Sequence, residues 1–593
     1  VPSFLGPVNY AAGGSPYAVV AADFNHDTIP DLAIANYGSS SVSVLLGNGN
    51  GTFQAALDSP TGFLPVSLAV GDFDGDTNLD IVTANNGDVS VLLGNGNGTF
   101  QAPSSINLGS SPDSVAVGDF NHDGTLDLGV TTNLYVFDGY GYWGNYYHYE
   151  GYANVLIGNG DGTFSAGDSE FLGSPYFQRW SAAAADLNGD GVDDLAVAND
   201  NFGTVGVLLN DGSGNLGAPV SYSEGNYVLN LAAGDVDGDG DKDLVTANYY
   251  GQSVSVLLNN GSGVFGAAQS YVTGGGPVSV VLADFNHDTH PDIATANSYT
   301  NDVSVILGRG DGTFSPALHA AAGSNVTGVA AGDFNGDGWA DVATANYYGG
   351  NASVLINDHA WPPADAPSVS IDDVSVTEGN SGTLNMTFTV KLSAAYSKAI
   401  TVHYSTADGS ATAGSDYSAA SLDLVFNPTE TSKTITIAII GDRVAEATEN
   451  LFVNLTTNDA FIADGQGVGT IVDNEPRISI NSVPKAEGNG KGTTLFVFTV
   501  TLSVAYDQPV TVNFATADGT AKVSDHDYQA KSGTLTFAPG ETTKTISIAV
   551  YGDKKNEGNE YFAVNLSGAS SNALLVDATG IGTILNDDKH GRH

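Results

Sequence analysis

The chain has 593 residues, 66 of them acidic and 17 basic, for a formal charge of −49, with 75 glycines and no cysteine. That charge excludes nucleic acid and anionic lipid as natural partners. The missing cysteines exclude disulfides, thiolate metal sites and cysteine nucleophiles. An apolar content of 41 % fits a folded chain of several domains. No apolar run is long enough to span a bilayer, so no membrane insertion is expected.

From the N-terminus onward one unit recurs, shown by "PVSLAVGDFDGDTNLDIVTANNGDVSVLLGNGNGTFQ" from Pro65. An alternating apolar run leads into an acidic loop, followed by "LDIVTAN", "VSVLLGN", a Gly/Asn turn and "GTF". This predicts four short strands per unit, joined by turns that tolerate positive φ. The loops start at Asp23, Asp72, Asp119, Asp186, Asp235, Asp284 and Asp333, at steps of 49, 47, 67, 49, 49 and 49 residues. Seven four-stranded units predict a seven-bladed β-propeller over 1–358. The seventh unit stops at "SVLINDHA" without its "GTF", and the N-terminal "VPSFLGPVNYAAG" is expected to supply the missing strand.

Loop positions 1, 3, 5 and 9 are always Asp or Asn. They are Asp23, Asn25, Asp27 and Asp31; Asp72, Asp74, Asp76 and Asp80; Asp119, Asn121, Asp123 and Asp127; and Asp186, Asn188, Asp190 and Asp194. The remaining loops carry Asp235, Asp237, Asp239 and Asp243; Asp284, Asn286, Asp288 and Asp292; and Asp333, Asn335, Asp337 and Asp341. Position 7 varies freely (Ile29, Asn78, Thr125, Val192, Asp241, His290, Trp339), as expected of a residue that offers its backbone carbonyl. Hard oxygen donors at this spacing suit Ca2+, and up to seven ions are expected. Position 10 is always Leu, Ile or Val, which places the loop between two strands and not in an EF-hand. Position 6 is Gly in four loops but Thr28, Thr77 and Thr289 in the others, where weaker binding is expected.

These repeats resemble the FG-GAP/VCBS propellers, including the head of integrin α subunits. The resemblance implies calcium bound through a D-x-D/N-x-D-G-x-x-D hairpin.

The 67-residue step contains "NLYVFDGYGYWGNYYHYEGY" (133–152), in which nine of twenty residues are aromatic. Tyr140, Tyr142, Trp143, Tyr146 and Tyr147 are candidate contacts for a sugar or a protein partner. The other reading is a lid folded onto its own blade through Tyr135, Phe137 and Trp143.

A Pro-rich linker is expected at 359–367, and after it the pattern changes. "TADGSATAGSDY" (406–417) is echoed by "TADGTAKVSDHDY" (516–528), and "GDRVAEATE" (441–449) by "GDKKNEGNE" (552–560). Two tandem sandwiches are predicted, 368–475 and 476–588, followed by a tail at 589–593. The bridge "DNEP" (473–476) is too short for a free linker, so the sandwiches are expected end to end. They resemble Calx-β domains, immunoglobulin-like sandwiches known from the sodium–calcium exchanger and from bacterial surface proteins. The resemblance implies further calcium sites at Glu378, Asp408, Asp416, Asp442, Glu446, Glu449 and Asp473. In the second copy it implies Glu487, Asp518, Asp527, Asp553, Glu557, Glu560, Asp587 and Asp588. Asn586 stands where the first copy has Asp473, which reduces the ligand count there.

An all-β, calcium-stapled, secreted surface or matrix protein is expected, acting by adhesion or self-assembly on a protein or glycan. The alternative is a lectin-like propeller. An enzyme is not expected: residues 1–358 hold three basic side chains, Arg179, Lys242 and Arg309, a poor supply for cleaving acidic sugars.

Overall fold

The computed structural model describes residues 4–587 except 142–143, 174–179, 200–202, 224–226, 489 and 555–556, and of residues 138–141, 144–147 and 180 the backbone alone. It is all-β; one short 3-10 turn, Val523–Asp525, is the only helical element among the described residues. Among the described residues no helix is long and apolar enough to cross a membrane. The chain forms two compact units, Val1–Ala366 and Pro367–His593.

The first unit consists of four-stranded antiparallel sheets, the blades of a propeller. The first sheet runs Pro16–Ala22, Asp31–Asn36, Ser41–Leu45 and Leu57–Pro60. Burial falls from the middle of each sheet to its rim: Asp31–Asn36 is buried throughout, while Leu57–Pro60 is largely exposed. The sequence "DLAIAN" explains the middle strand, because its two faces carry side chains of different size. Leu32 and Ile34 pack with Ala343 and Ala345 of the sheet containing Asp341–Asn346. On the opposite face Ala33 and Ala35 meet Leu68 and Ile81 of the next sheet. Large side chains thus fill the space that alanines leave, sheet after sheet.

The last of these sheets (Val326–Gly332, Asp341–Asn346, Asn351–Leu355) gains its fourth strand from Val8–Ala11, which pairs with Asn351–Leu355. Phe4 bridges to Asn357 just as Phe314 bridges to Gly308 in the preceding sheet, so the N-terminus supplies the absent "GTF".

Innermost strands are tied to one another by polar side chains. Ser67 Oγ accepts from Val115 N–H at 3.3 Å and Ser114 Oγ from Ala182 N–H at 3.2 Å. Asn230 donates to Ser181 Oγ at 3.0 Å and accepts from Val280 N–H at 3.0 Å. Ser279 Oγ accepts from Val329 N–H at 3.4 Å, and Thr327 Oγ1 donates to Pro16 O at 3.1 Å. Ala18 occupies the corresponding place in the first sheet and has no group to offer.

The repeat unit extends past its expected end at 358. Trp361 packs edge-on against Phe4 at 5.3 Å and donates to Asn357 Oδ1 at 2.9 Å, and Arg309 Nε donates to Ala364 O at 2.9 Å. The stretch expected as a linker is therefore packed on the unit up to Ala366. The aromatic insertion lengthens the two central strands of its sheet, Asp127–Gly141 and Gly144–Gly158. Tyr135 is 56 % and Phe137 45 % exposed, and the Tyr135 ring packs on Tyr149 of the adjoining strand at 5.0 Å. Tyr142 and Trp143 lie outside the described residues, as do the side chains of Tyr140, Tyr146 and Tyr147.

The second unit holds two sandwiches of the same topology, each a four-stranded and a five-stranded sheet. Strands such as Thr383–Leu392 alternate exposed and buried residues, as one-sided packing demands. The cores are separate: Phe388, Tyr417 and Ile437 belong to the first, and Phe498, Tyr528 and Ile548 to the second.

Candidate metal centre

The loops of the repeats are built around their first and ninth residues. Asp23 Oδ1 accepts from Asn25 and Asp27 N–H at 3.2 Å each, and Oδ2 from Thr28 N–H at 2.8 Å. Asp31 is fully buried; Oδ2 accepts from Phe24 N–H at 2.9 Å and Oδ1 from Gly47 N–H at 2.7 Å. The ninth aspartate does the same in every loop, for example Asp292 with Phe285 (2.8 Å) and Gly308 (2.7 Å), and Asp341 with Phe334 (2.9 Å) and Asn357 (2.8 Å). It clamps the loop to the end of the third strand. Burial raises these carboxyls above the usual range despite the backbone donors, to about 6 for Asp31, Asp80, Asp194, Asp243 and Asp341 and to about 8 for Asp292. Asp127 is raised for the same reason.

The tenth residue is buried in every loop, from Leu32 to Val342. Sixth-position threonines take the left-handed conformation the turn requires (Thr28 φ 69°, Thr77 φ 72°, Thr289 φ 74°), as Gly124, Gly191, Gly240 and Gly338 do. Position 4 is left-handed too, which the Asp/Asn spacing did not reveal; it is glycine or His26, His122 and His287. His287 stacks on Trp339 at 5.0 Å, and His26 shares a hydrogen bond with Asn78 at 2.9 Å, joining neighbouring loops.

Three carboxylates converge within 4.8 Å in two loops, as Asp72, Asp74 and Asp80 and as Asp235, Asp237 and Asp239. Those are the loops with Asp at position 3. In four of the other five loops the asparagine amide turns toward position 5, as Asn25 Nδ2 does to Asp27 at 2.9 Å and Asn335 Nδ2 to Asp337 at 2.7 Å.

The first sandwich tip is a different environment. Strands Val374–Thr377 and Gln466–Val472 run parallel with Thr377 opposite Val472, so the next residues, Glu378 and Asp473, emerge side by side. With Glu475 they form a buried group whose oxygens lie within 4.8 Å of one another. Asp473 Oδ1 accepts from Glu446 N–H at 3.0 Å. Asp473 Oδ2 and Glu475 Oε2 are buried without a hydrogen-bond partner; Arg477 is the nearest cation, 3.9 Å from Asp473 Oδ2. Asp416, Glu446 and Glu449 make a second trio beside it.

Burial and then the surrounding acids raise Glu378 to about 8, and burial and Asp416 raise Glu449 to about 7. Glu475 rises to about 7 through burial, and Glu446 is raised by burial and by Asp416, Asp442 and Asp473. Two carboxylates about 4 Å apart repel by roughly 4 kcal/mol at an effective dielectric near 20. A buried all-oxygen nest with unpartnered oxygens fits a hard divalent cation such as Ca2+. Glu475 was missed by sequence reading, although "DNEP" placed a third acid two residues from Asp473.

Asp408 is not in the nest: its Oδ1 accepts from Tyr417 Oη at 2.7 Å and Ala413 N–H at 2.8 Å, bonds that hold the carboxyl below its usual range. Asp518 does the same with Tyr528 at 2.7 Å and Val523 at 3.1 Å. Asp442 accepts from Val444 N–H at 2.6 Å and adds its charge to the nest. In the second sandwich Asp527, Glu557 and Glu560 converge within 4.8 Å. The place beside Glu487 belongs to Asn586, whose amide donates to Glu557 O at 2.8 Å. Asp587 Oδ1 accepts from Gly488 N–H at 3.2 Å, and Asp588 lies outside the described residues. Among the described residues Asp553 joins no converging trio.

The first tip also meets the second sandwich. Tyr506 Oη donates to Glu475 Oε1 at 2.9 Å, Arg443 pairs with both oxygens of Asp507 at 2.6 and 2.9 Å, and Ala445 N–H donates to Ser571 O at 2.7 Å.

Comparison with known proteins gives a consistent picture. The family model described as FG-GAP-like repeat matches residues 23–83, 72–130, 142–197, 186–246, 235–295 and 285–344, more than half of the chain and all seven acidic loops. The Calx-beta domain model matches 364–475 and 473–589. Sodium/calcium exchanger 3 of Mus musculus is 30 % identical over 196 residues, which is 29 % of this chain and 21 % of the exchanger. Adhesion G-protein coupled receptor V1 of Danio rerio is 28 % identical over 200 residues, 29 % of this chain and 3 % of the receptor. The chain thus spans only a small part of these relatives. Among solved structures, CBD12 from CALX1.2 aligns at 19 % identity and TM-score 0.24, covering 37 % of this chain and 99 % of that one. A lectin of Agrocybe aegerita that recognises non-reducing terminal N-acetylglucosamine aligns at 18 % identity and TM-score 0.36, covering 60 % of this chain and 97 % of the lectin. The chain belongs to the FG-GAP-like repeat family and carries two Calx-beta domains behind its repeats.

Proposed function

We propose that this is a secreted, calcium-binding surface or matrix protein that acts in adhesion or self-assembly, with a seven-bladed propeller as its N-terminal body. The observation that carries the calcium reading is the nest at the first sandwich tip, where Asp473 and Glu475 each bury an oxygen with no partner. Calcium held there by Glu378, Asp473, Glu475 and the adjoining Asp416, Asp442, Glu446 and Glu449 neutralises repulsion that the chain leaves uncompensated. Because Glu475 also receives the Tyr506 hydroxyl, the ion stiffens the junction between the sandwiches.

In the propeller, calcium at positions 1, 3, 5 and 9 of the loops, completed by the carbonyl of position 7, is a secondary staple. The two loops with three convergent carboxylates bind most strongly; for the Asp72 loop this replaces the weaker binding expected from Thr77, which takes the required left-handed φ of 72°. Closure of the ring is supported by the shared core of the first and last sheets and by the Thr327–Pro16 hydrogen bond. A location outside the cell fits a cysteine-free chain whose sites suit millimolar calcium.

The test is light scattering and melting of chelator-treated protein during a calcium titration. Calcium-dependent assembly with a rising melting temperature supports the reading; a metal-independent melt with no assembly contradicts it.

A further inference from the structure

Innermost strands of the first unit surround a cavity of about 730 Å3, lined by residues from Tyr17 through Asp113, Ser181 and Asn230 to Thr327. Acidic loops precede the middle strands, such as Asp31–Asn36 and Asp243–Asn248, and tyrosines follow them, so the two groups lie at opposite ends of the sheets. Tyr37, Tyr249, Tyr250 and Tyr347 line the cavity, and Tyr299 and Tyr348 flank it. Two groups result: Tyr17, Tyr37 and Tyr347 lie 6.1 to 6.3 Å apart, and Tyr249 lies 4.9 Å from Tyr299 and 5.1 Å from Tyr250.

Three of these rings are strongly exposed: Tyr250 at 60 %, Tyr299 at 59 % and Tyr348 at 77 %. Tyr227 holds a left-handed φ of 68° at a turn whose counterparts are Ser15, Gly276 and Asn325. A bulky residue is costly in that conformation, and here it brings a fourth ring to within 4.7 Å of Tyr250. The described lining has no lysine or arginine and a single carboxylate, that of Asp113; its other polar side chains are Ser, Thr, Asn and Tyr.

We propose that this tyrosine-rimmed cavity, on the face away from the acidic loops, binds a neutral oligosaccharide. Tyrosine faces stack on the apolar face of a pyranose while hydroxyls and amides meet its hydroxyl groups. Among the described lining residues an anionic ligand finds no counter-charge, and a polycation finds one carboxylate. The proposal rests on the closed ring but not on calcium binding or assembly.

The test uses the full chain in calcium, with cellohexaose, mannohexaose and xylohexaose as calorimetric probes and polylysine as the cationic control. Binding of at least one neutral hexasaccharide is expected, weakened about ten-fold or more by Tyr250→Ala with Tyr299→Ala, and retained by the Tyr→Phe pair. Because both rings are exposed, the variants should melt as the parent does, and that melt confirms folding. Deletion of 138–150 should leave binding intact. Absence of binding by all three sugars, binding of polylysine alone, or loss on the 138–150 deletion with none in the tyrosine variant would overturn the proposal. All of these outcomes are independent of whether calcium raises the melting temperature.

Discussion

Aspartates of the repeat loops and carboxylates of the first sandwich tip both converge in space, the former from nine-residue loops and the latter from distant parts of the chain, yet they stand in opposite physical situations. In the loops the chain satisfies its own acids: Asp23 takes backbone donors from its own turn, and Asp31 takes one N–H on each oxygen. At the tip Asp473 and Glu475 each keep a buried oxygen with no hydrogen-bond donor, and a single cation, Arg477 at 3.9 Å from Asp473, stands against the converging carboxylates. Acid density alone therefore does not rank sites. The strongest demand for a cation lies where the backbone has no N–H left to give.

The largest expected effect breaks this comparison at the tip. Asp473→Asn with Glu475→Gln should lower calcium affinity there by roughly a hundred-fold, about 2.7 kcal/mol, while raising the melting temperature of the metal-free protein. Calorimetric titration and melting read the two halves; a metal-free variant that melts lower than the parent contradicts the repulsion argument.

Next is the pH dependence of the same tip. Glu378 at about 8 and Glu449 and Glu475 at about 7 lie above their unfolded values. The folded metal-free tip therefore holds protons that the unfolded chain releases, so its stability is present at low pH and is lost as pH rises through roughly 7 to 8. Metal-free melting of the sandwiches should fall between about pH 5 and 8 while calcium affinity climbs. Melts that are flat over that range contradict the assignment.

In the repeats the expectation reverses. Asp292→Asn leaves one of the Phe285 and Gly308 N–H groups without its acceptor and should destabilise the metal-free first unit by about 1–3 kcal/mol in urea unfolding. Asp239→Asn, at an exposed loop position, should change metal-free stability by less than about 0.5 kcal/mol. Equal effects would contradict the clamping role of the ninth aspartate, which Asp239 at position 5 does not share.

The smallest effect concerns strain. Thr289→Gly should stabilise its loop by about 1 kcal/mol by removing a β-branched residue from φ 74°, read as a shift of the urea midpoint.

Much of this was legible in the sequence because the repeats test themselves. Four strands per unit, the buried tenth residue and the N-terminal strand in the last sheet follow from period and alternation, and Leu32, Val342 and Val8–Ala11 stand where the pattern put them. Roles set by tertiary contacts were not legible. Asp31 reads as a ligand like Asp27, and its double backbone clamp depends on Gly47, sixteen residues on. Asp408 and Asp518 look like members of the acid set but are taken by Tyr417 and Tyr528. Glu475 was visible yet uncounted, because its membership follows from the parallel pairing of Val374–Thr377 with Gln466–Val472 that brings Glu378 beside Asp473. The tyrosine rim escaped for a similar reason. Tyrosines after "AN", in "ANY" at 35–37 and "ANYY" at 247–250 and 345–348, look like turn residues until the sheets gather them around one cavity.

The most direct test of the central claim is calorimetric unfolding of the full chain and of Asp473→Asn, each stripped with chelator and then returned to millimolar calcium. The sandwich transition of the parent should rise with calcium by several degrees more than that of the variant. An equal rise in both, or no rise in the parent, would contradict the account.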